Sequence, residues 1–332
     1  MLEADVEVDR REFTLRAAIS VARGDRLALF GPSGAGKTTL LETIAGLVRP
    51  RRGRVVLSGR VLTSTDKPAV AVPAWDRQVG LLRQDPGLFP HLSVRANLTY
   101  ARTANPAEAE LAELAGVLGI EALLAAMPAR LSGGQQHRVA LGRLLLAHCQ
   151  ALLLDEPYSG LDAVLRRTMT ALVVRMVTDR GVPAVLVAHE LADAQAFATR
   201  MAVLDQGVLL QVGGPDEVVR QPASRRVAEL VGYLGFVPVN GRQADQLAGI
   251  HPDRVVSGAA PGKGIVLSGP VAAVRPAGVG WEVDVQLNGT AVTCRLSERP
   301  VAAGEELVLT AIDPPVFGPD GVAIESTGGV GR

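Results

Sequence analysis

The stretch "FGPSGAGKTT", Phe30 to Thr39, joins an apolar run, "RLALF", to a helical-looking one, "LLETIAGL". Glycine costs about 0.5–1 kcal/mol relative to alanine inside a regular element, so three glycines at the end of a strand need a reason. The pattern Gly31-x-x-x-x-Gly36-Lys37-Thr38 supplies one, because it follows an expected strand and opens an expected helix. Glycines let the backbone curl until successive N–H groups and the helix N-terminus point at one anion. Gly31, Pro32, Ser33, Gly34, Ala35, Gly36, Lys37, Thr38 and Thr39 are thus the expected phosphate cradle, with Lys37 as its point charge and Thr38 placed to ligate Mg²⁺. The chain holds only three lysines, Lys37, Lys67 and Lys263, which makes one inside the glycine loop more telling.

Outward from that loop, residues 1 to about 230 alternate apolar strand-like runs with longer helical patterns, the rhythm of a mostly parallel α/β sheet. Strands are expected near 26–30, 79–82, 151–155, 183–188 and 201–205, and "RGRVVLSGRVL" reads as an antiparallel hairpin. Between Gln84 and Leu131 the pattern turns alanine- and leucine-rich, which predicts a helical insertion; the helical subdomain is placed at about 84–145. After about residue 235 Gly, Pro and Val rise, and short alternating runs joined by "NGT" and "AAGEE" predict a small β-barrel or sandwich. The expected division is 1–232 and 233–332, ending in a loose tail.

The chain has 332 residues, enough for two domains without crosslinks. Basic and acidic residues balance at 34 each, so no global attraction for nucleic acid or an anionic surface is expected. The cluster Arg49, Arg51, Arg52 and Arg54 reads as a solvated turn. Cys149 and Cys294 stand far apart with no Cys/His cluster around them, which points away from a disulfide framework or a zinc site and toward a reducing cytoplasm. The first residues lack an apolar secretory core, and no apolar run approaches the roughly 20 residues that span a bilayer.

A hundred residues after the glycine loop, "LSGGQQHRVALGRLLLAH" runs into "CQALLLDEPYSGLDA". Ser132, Gly133, Gly134 and Gln135 offer a hydroxyl and free N–H groups at a helix start, a second anion-binding end. One nucleotide does not need two cradles from one subunit. The economical solution is a head-to-tail homodimer, each ATP clamped between one copy's glycine loop and the other's Ser132 segment. Asp155 ends a buried run and is placed to hold Mg²⁺ through water, and Glu156 beside it to deprotonate an attacking water.

These motifs, in this order and spacing, resemble the ATP-binding cassette family. The resemblance implies a P-loop NTPase fold with a RecA-like core, an antiparallel β subdomain and a helical subdomain, binding ATP and Mg²⁺ and hydrolysing the nucleotide. It assigns Ser159–Asp162, "SGLD", to the loop that communicates between two ATP sites, and His189 to the histidine that touches the γ-phosphate and the catalytic water. Gln84 matches the residue that senses Mg²⁺ and the water and transmits closure to a membrane subunit. Phe13 is a candidate platform for adenine, and equally a core residue. His137 stands where Gln or Glu is usual, Arg83 where an aromatic often stands, and Ala188 where Thr or Ser is commoner.

Only one P-loop is present, and the insertion is too short for the long coiled coil of the chromosome-maintenance members; an importer subunit remains. "RQVGLLRQDPGLFPHLSVRANLTYA" and the C-terminal β region look like the ATP-binding subunits of molybdate importers, the ModC type, with a C-terminal TOBE/Mop-like, OB-like domain. That implies two copies of a transmembrane permease, indirectly an extracytoplasmic substrate-binding protein, and a peripheral place on the cytoplasmic face of the bacterial membrane. Lys263 and Ser268 partly fill the polar positions where such a domain holds regulatory molybdate; a rigid dimerisation module is the other reading. Import of sulfate, ferric iron or a sugar stays open, as does a soluble ATP-dependent regulator.

Overall fold

The computed structural model describes residues 1–100, 108–239, 246–260, 262, 264–287, 289–298 and 302–324. The chain divides into two units, Met1–Pro215 and Asp216–Arg332.

The first unit is built on one eleven-stranded sheet. Its strands are β1 (Leu2–Asp9), β2 (Thr14–Val21), β3 (Arg26–Phe30), β4 (Arg52–Leu57), β5 (Arg60–Ser64), β6 (Val70–Ala71), β7 (Val79–Leu82), β8 (Ala151–Asp155), β9 (Ala184–Ala188), β10 (Arg200–Asp205) and β11 (Val208–Gly213). Its α-helices are α1 (Lys37–Ala45), α2 (Val94–Thr99), α3 (Glu108–Leu118), α4 (Gly133–Leu146), α5 (Ala163–Arg180) and α6 (Leu191–Phe197). The spatial order β6-β5-β4-β1-β2-β11-β10-β3-β9-β8-β7 separates two kinds of strand. From β6 to β2 the pairing is antiparallel. From β10 through β3, β9 and β8 to β7 it is parallel.

Sequence explains that split. β8, "ALLLD", and β9, "AVLVA", are buried at every residue, as central parallel strands covered on both faces must be. β1 and β2 instead bury every second residue and turn Asp5, Asp9 and Arg16 outward, the pattern of a sheet with one face on the core.

The five expected strands occur where the apolar runs placed them, and the hairpin is β4–β5. The insertion after Gln84 is more broken than a continuous helical pattern suggests. It comprises α2, α3 and two short 3₁₀ turns at Glu121–Leu123 and Pro128–Arg130, with residues 101–107 outside the described set. Gly119, with φ 61, and Pro128 interrupt it.

Arg77 ties the antiparallel hairpin to the helix that follows the glycine loop. It is 5% exposed and donates from Nε to Val72 O at 2.8 Å, from its terminal nitrogens to Ile44 O at 2.8 Å, Thr43 O at 3.3 Å and Thr63 Oγ1 at 2.9 Å. Thr43 and Ile44 lie in the last turn of α1, where carbonyls lack intrahelical donors. Gly46 ends the helix at φ 85, and a Cβ there would strike the guanidinium. Arg77→Ala is expected to leave these acceptors unpaired and lower stability by about 2–3 kcal/mol, read in urea unfolding of the nucleotide-free chain as an earlier first transition with unchanged slope.

Among its described residues the second unit carries helices α7 (Pro215–Arg220) and α8 (Arg225–Leu230) and nine strands. β12 (Gly235–Pro238), β13 (Leu247–Ile250), β19 (Val316–Phe317) and β20 (Ala323–Ile324) form one sheet. β14 (Val255–Ser257), β18 (Glu306–Ile312), β15 (Gly264–Ala277), β16 (Gly280–Leu287) and β17 (Thr290–Leu296) form the other. All pairings are antiparallel. β15 serves both neighbours, pairing with β18 up to Pro270 and with β16 from Val271 onward. Just before the switch, at Gly269, a Cβ would overlap the Gln286 carbonyl oxygen, so only glycine allows this close approach of β16. The division falls earlier than the 232/233 boundary read from composition. Helices α7 and α8 pack within the β unit: Tyr233 Oη donates to Val219 O at 2.9 Å, and Arg225 N to Gly321 O at 2.7 Å.

Candidate functional site

Parallel strands place their carboxyl ends on one edge of the sheet, and the register fixes the level. Phe30 lies opposite Ala188, Leu82 opposite Leu154, and Asp155 opposite Val187. The residues that leave these strands, Gly31 onward after β3, Gln84 after β7, Glu156 after β8 and His189 after β9, therefore converge although up to 158 positions separate them in sequence. Gln84, Glu156 and His189 line a cleft of about 490 Å³ with Phe13, Ser33, Gly34, Ala35, Gly36, Lys37, Thr38 and Thr39.

The glycine loop is shaped for an anion. Gly31, Gly34 and Gly36 have φ of 147, 80 and 104, and a Cβ at Gly31 would overlap the Leu204 carbonyl oxygen. Gly36 caps α1 without a side-chain acceptor, so the first N–H groups of that helix open toward the cleft. Lys37, 5% exposed, folds back on the loop and donates from Nζ to Gly31 O at 2.7 Å and Pro32 O at 2.8 Å. Burial pulls its pKa down, opposed by the charges of Glu156 and Asp155. Gly31 and Pro32 thus serve through their carbonyls and are not part of the cleft lining.

Asp155 is 4% exposed, and its Oδ1 has no hydrogen-bond partner. Burial raises its pKa, countered by the Thr38 hydroxyl beside it. A buried carboxylate oxygen without a donor, next to a hydroxyl and below a phosphate cradle, is the donor set a hard cation such as Mg²⁺ takes. Asp155, Thr38 and Gln84 are the residues that would hold it. Glu156 sits at φ 52, a left-handed backbone that a non-glycine residue rarely adopts, and its Oε1 is hydrogen-bonded to His189 Nε2.

The Ser132 segment and Asp162 do not line this cleft. Ser132 caps α4, its hydroxyl accepting from Gln135 N at 3.3 Å while Gln135 Oε1 accepts from Ser132 N at 2.8 Å, a capping box. Gly133 and Gly134 form the first turn beyond it, and a Cβ at Gly134 would lie 3.7 Å from Gly160 O. Asp162 caps α5, accepting from Val164 N at 3.0 Å and Leu165 N at 2.9 Å. In the second unit Ser268 is exposed on β15, and Lys263 lies outside the described residues.

Sequence reasoning passed over Arg10, Arg11 and Glu12, which line the cleft beside Phe13. Arg10 Nε donates to Thr39 Oγ1 at 3.1 Å, binding the β1–β2 turn to the glycine loop. Phe13 is half-buried, packs against the core around β2, and faces Gly36, so the two readings of its role meet in one side chain.

Residues 16–159 match the family model described as ABC transporter. Over 232 residues the chain is 44% identical to a ferric-ion import ATP-binding protein of Pseudomonas fluorescens, covering 69% of this chain and 64% of that one. It is 42% identical over 229 residues to a molybdenum import ATP-binding protein of Mesorhizobium japonicum, covering 68% and 61%. A trehalose/maltose import ATP-binding protein of Thermococcus litoralis is 38% identical over 228 residues, covering 67% and 60%. The chain thus spans about three fifths of the length of these relatives. Among solved structures, an ATP-binding subunit of an ABC transporter aligns with TM-score 0.58 at 27% identity, covering 70% of this chain and 95% of that one. A dimeric post-hydrolysis ATP-binding cassette bound to ADP and Pi aligns with TM-score 0.55 at 24% identity, covering 65% and 99%; that likeness is one of fold.

Proposed function

We propose that this chain, whose first unit has the P-loop fold of the ABC transporter ATPases, is the ATP-hydrolysing subunit of an importer and works as a head-to-tail pair. One observation carries the reading: a phosphate cradle and a paired Glu–His meet in one cleft, with the buried Asp155, whose Oδ1 has no hydrogen-bond partner, one position before Glu156, while Ser132–Gln135 and Asp162 stay outside it. Lys37 and the N–H groups of α1 bind the phosphates, leaving the carbonyls of Gly31 and Pro32 for the new partner. Mg²⁺, held by Thr38, Asp155 and Gln84, would supply charge neutralisation at the phosphates. Glu156 takes the proton of the attacking water, and His189 holds its carboxylate in place. Phe13 offers its ring to adenine. Ser132, Gly133, Gly134 and Gln135 of the opposing copy close the site over the nucleotide, and Asp162 stands at the joint between the two sites.

Pairing has a direct test. A Lys37→Ala chain and a Ser132→Ala chain are each expected to be nearly inactive. Mixed together they should recover about a quarter of the parental rate, because half the dimers are mixed and each of those has one intact site. No recovery on mixing sinks the head-to-tail arrangement.

Import implies two permease subunits, a substrate-binding protein on the far side and a peripheral station at the cytoplasmic membrane face; no described helix is long and apolar enough to cross a membrane itself. For the cargo we favour molybdate, on the resemblance of the segment around Gln84 and of the β unit after residue 235 to molybdate importers. In that reading the second unit, through Ser268 and Lys263, is the site of a regulatory oxyanion. The 44% identity to a ferric-ion relative favours iron as the second reading. Reconstituted complex decides: ATPase stimulated by binding protein loaded with molybdate but not with ferric iron supports the first, and the reverse overturns it.

A further inference from the structure

We propose that His137, with Arg143, is a positioning residue for Gln84, fastening the segment after β7 to helix α4; the inference rests on the ATPase reading above. Gln84 lines the nucleotide cleft, but the backbone that carries it is held from the helical side. His137 Nε2 lies 2.8 Å from Gln84 O, a contact made by the Nε2–H form of the ring, and its Nδ1 faces Gly133 O at 3.1 Å. Arg143, six residues further along α4, donates to Pro86 O and Gly87 O, each at 3.1 Å, and lies over the Phe89 ring, 5.3 Å from its centroid. Burial lowers the pKa of Arg143, the mark of a cation drawn among carbonyls away from water.

Asn97 of α2 completes the attachment. Fully buried, it accepts from Phe89 N at 2.9 Å and donates to Phe89 O at 3.1 Å, Leu92 O at 3.0 Å and Ser93 O at 3.2 Å. Residues 84–93 are thereby part of the helical lobe. Because His137 itself sits on α4, five residues after Ser132, its bond to Gln84 O joins the segment facing this chain's nucleotide to the helix start that faces the other copy's. Displacement of α4 moves both. His137 itself does not line the cleft and acts only through Gln84.

A double-mutant cycle in the full chain tests this, because Gln84→Ala removes the side chain but keeps the carbonyl that His137 holds. His137→Ala should lower kcat about five- to tenfold with KM for ATP within twofold, the effect of one lost neutral hydrogen bond on the reactive geometry. In a Gln84→Ala background the further loss should vanish, and His137→Gln, which keeps one N–H donor, should restore most of the rate. Equal losses in both backgrounds, or no loss in the parent, overturn the proposal. If His137→Ala does not fold, Arg143→Lys, which keeps the charge but loses the planar fork whose two nitrogens reach Pro86 O and Gly87 O, carries the same cycle with the same expected outcomes. A parental chain that hydrolyses no ATP sinks the ATPase reading; hydrolysis with additive losses sinks this inference alone.

Discussion

Glu156→Gln should bind ATP at close to parental affinity and release almost no phosphate, with kcat about 10²–10⁴-fold lower, the range of a lost general base. The side chain keeps its length and its hydrogen bond to His189, so the change removes basicity and little else. The backbone supports the assignment. A residue at φ 52 holds about 1–3 kcal/mol of strain that its surroundings must offset, and here the strain turns the carboxylate out of β8 to the cleft while Asp155, one position earlier, stays 4% exposed beneath it. In the proposed site neighbouring acids on one strand end would serve two functions, one lining the cleft where it can meet water and one buried beside Thr38. Because the substituted enzyme closes on ATP without discharging it, gel filtration with ATP should show a dimer that the parent shows only briefly. Hydrolysis at the parental rate would show that another group accepts the proton.

How far the sequence led depends on which force fixed each element. The glycine loop, Lys37, Asp155 and the five parallel strands were legible because they rest on local chemistry: uninterrupted apolar runs, and glycines required at positive φ. The order in which those strands lie was not. That β3 sits between β9 and β10, which brings His189 beside Gly31, depends on crossovers that leave no local mark. β11 was missed because its residues are only half-buried and exposed by turns, so no clear alternation shows. Ser132, read as offering a hydroxyl to an anion, also caps its own helix: its oxygen accepts from Gln135 N in a capping box, which leaves its O–H to donate. Arg10 and Arg11 belong to no motif that the sequence shows. Their place in the cleft follows from the register that brings the β1–β2 turn over the glycine loop, as the Arg10–Thr39 bond records.

Lys37→Ala should weaken ATP binding about 10²–10³-fold, the size of one lost preorganised contact to developing charge, and lower kcat/KM by at least as much. The nucleotide-free fold is the control that gives this number meaning. Lys37 is held by two loop carbonyls at 2.7 and 2.8 Å, and its desolvation is opposed by Glu156 and Asp155. Removing it takes away the desolvation cost together with those bonds, so stability without nucleotide should move far less than affinity does. The loop geometry persists, because φ of 147 at Gly31, 80 at Gly34 and 104 at Gly36 is set by the backbone and by Leu204 packed against Gly31, not by the ammonium. Thermal denaturation separates the two effects: parent and variant should melt within a few degrees of each other alone, whereas saturating MgATP should raise the melting temperature of the parent only, as linkage requires of a ligand that binds the folded chain. An equal rise in both would mean that phosphate is held by the α1 N–H groups without the lysine.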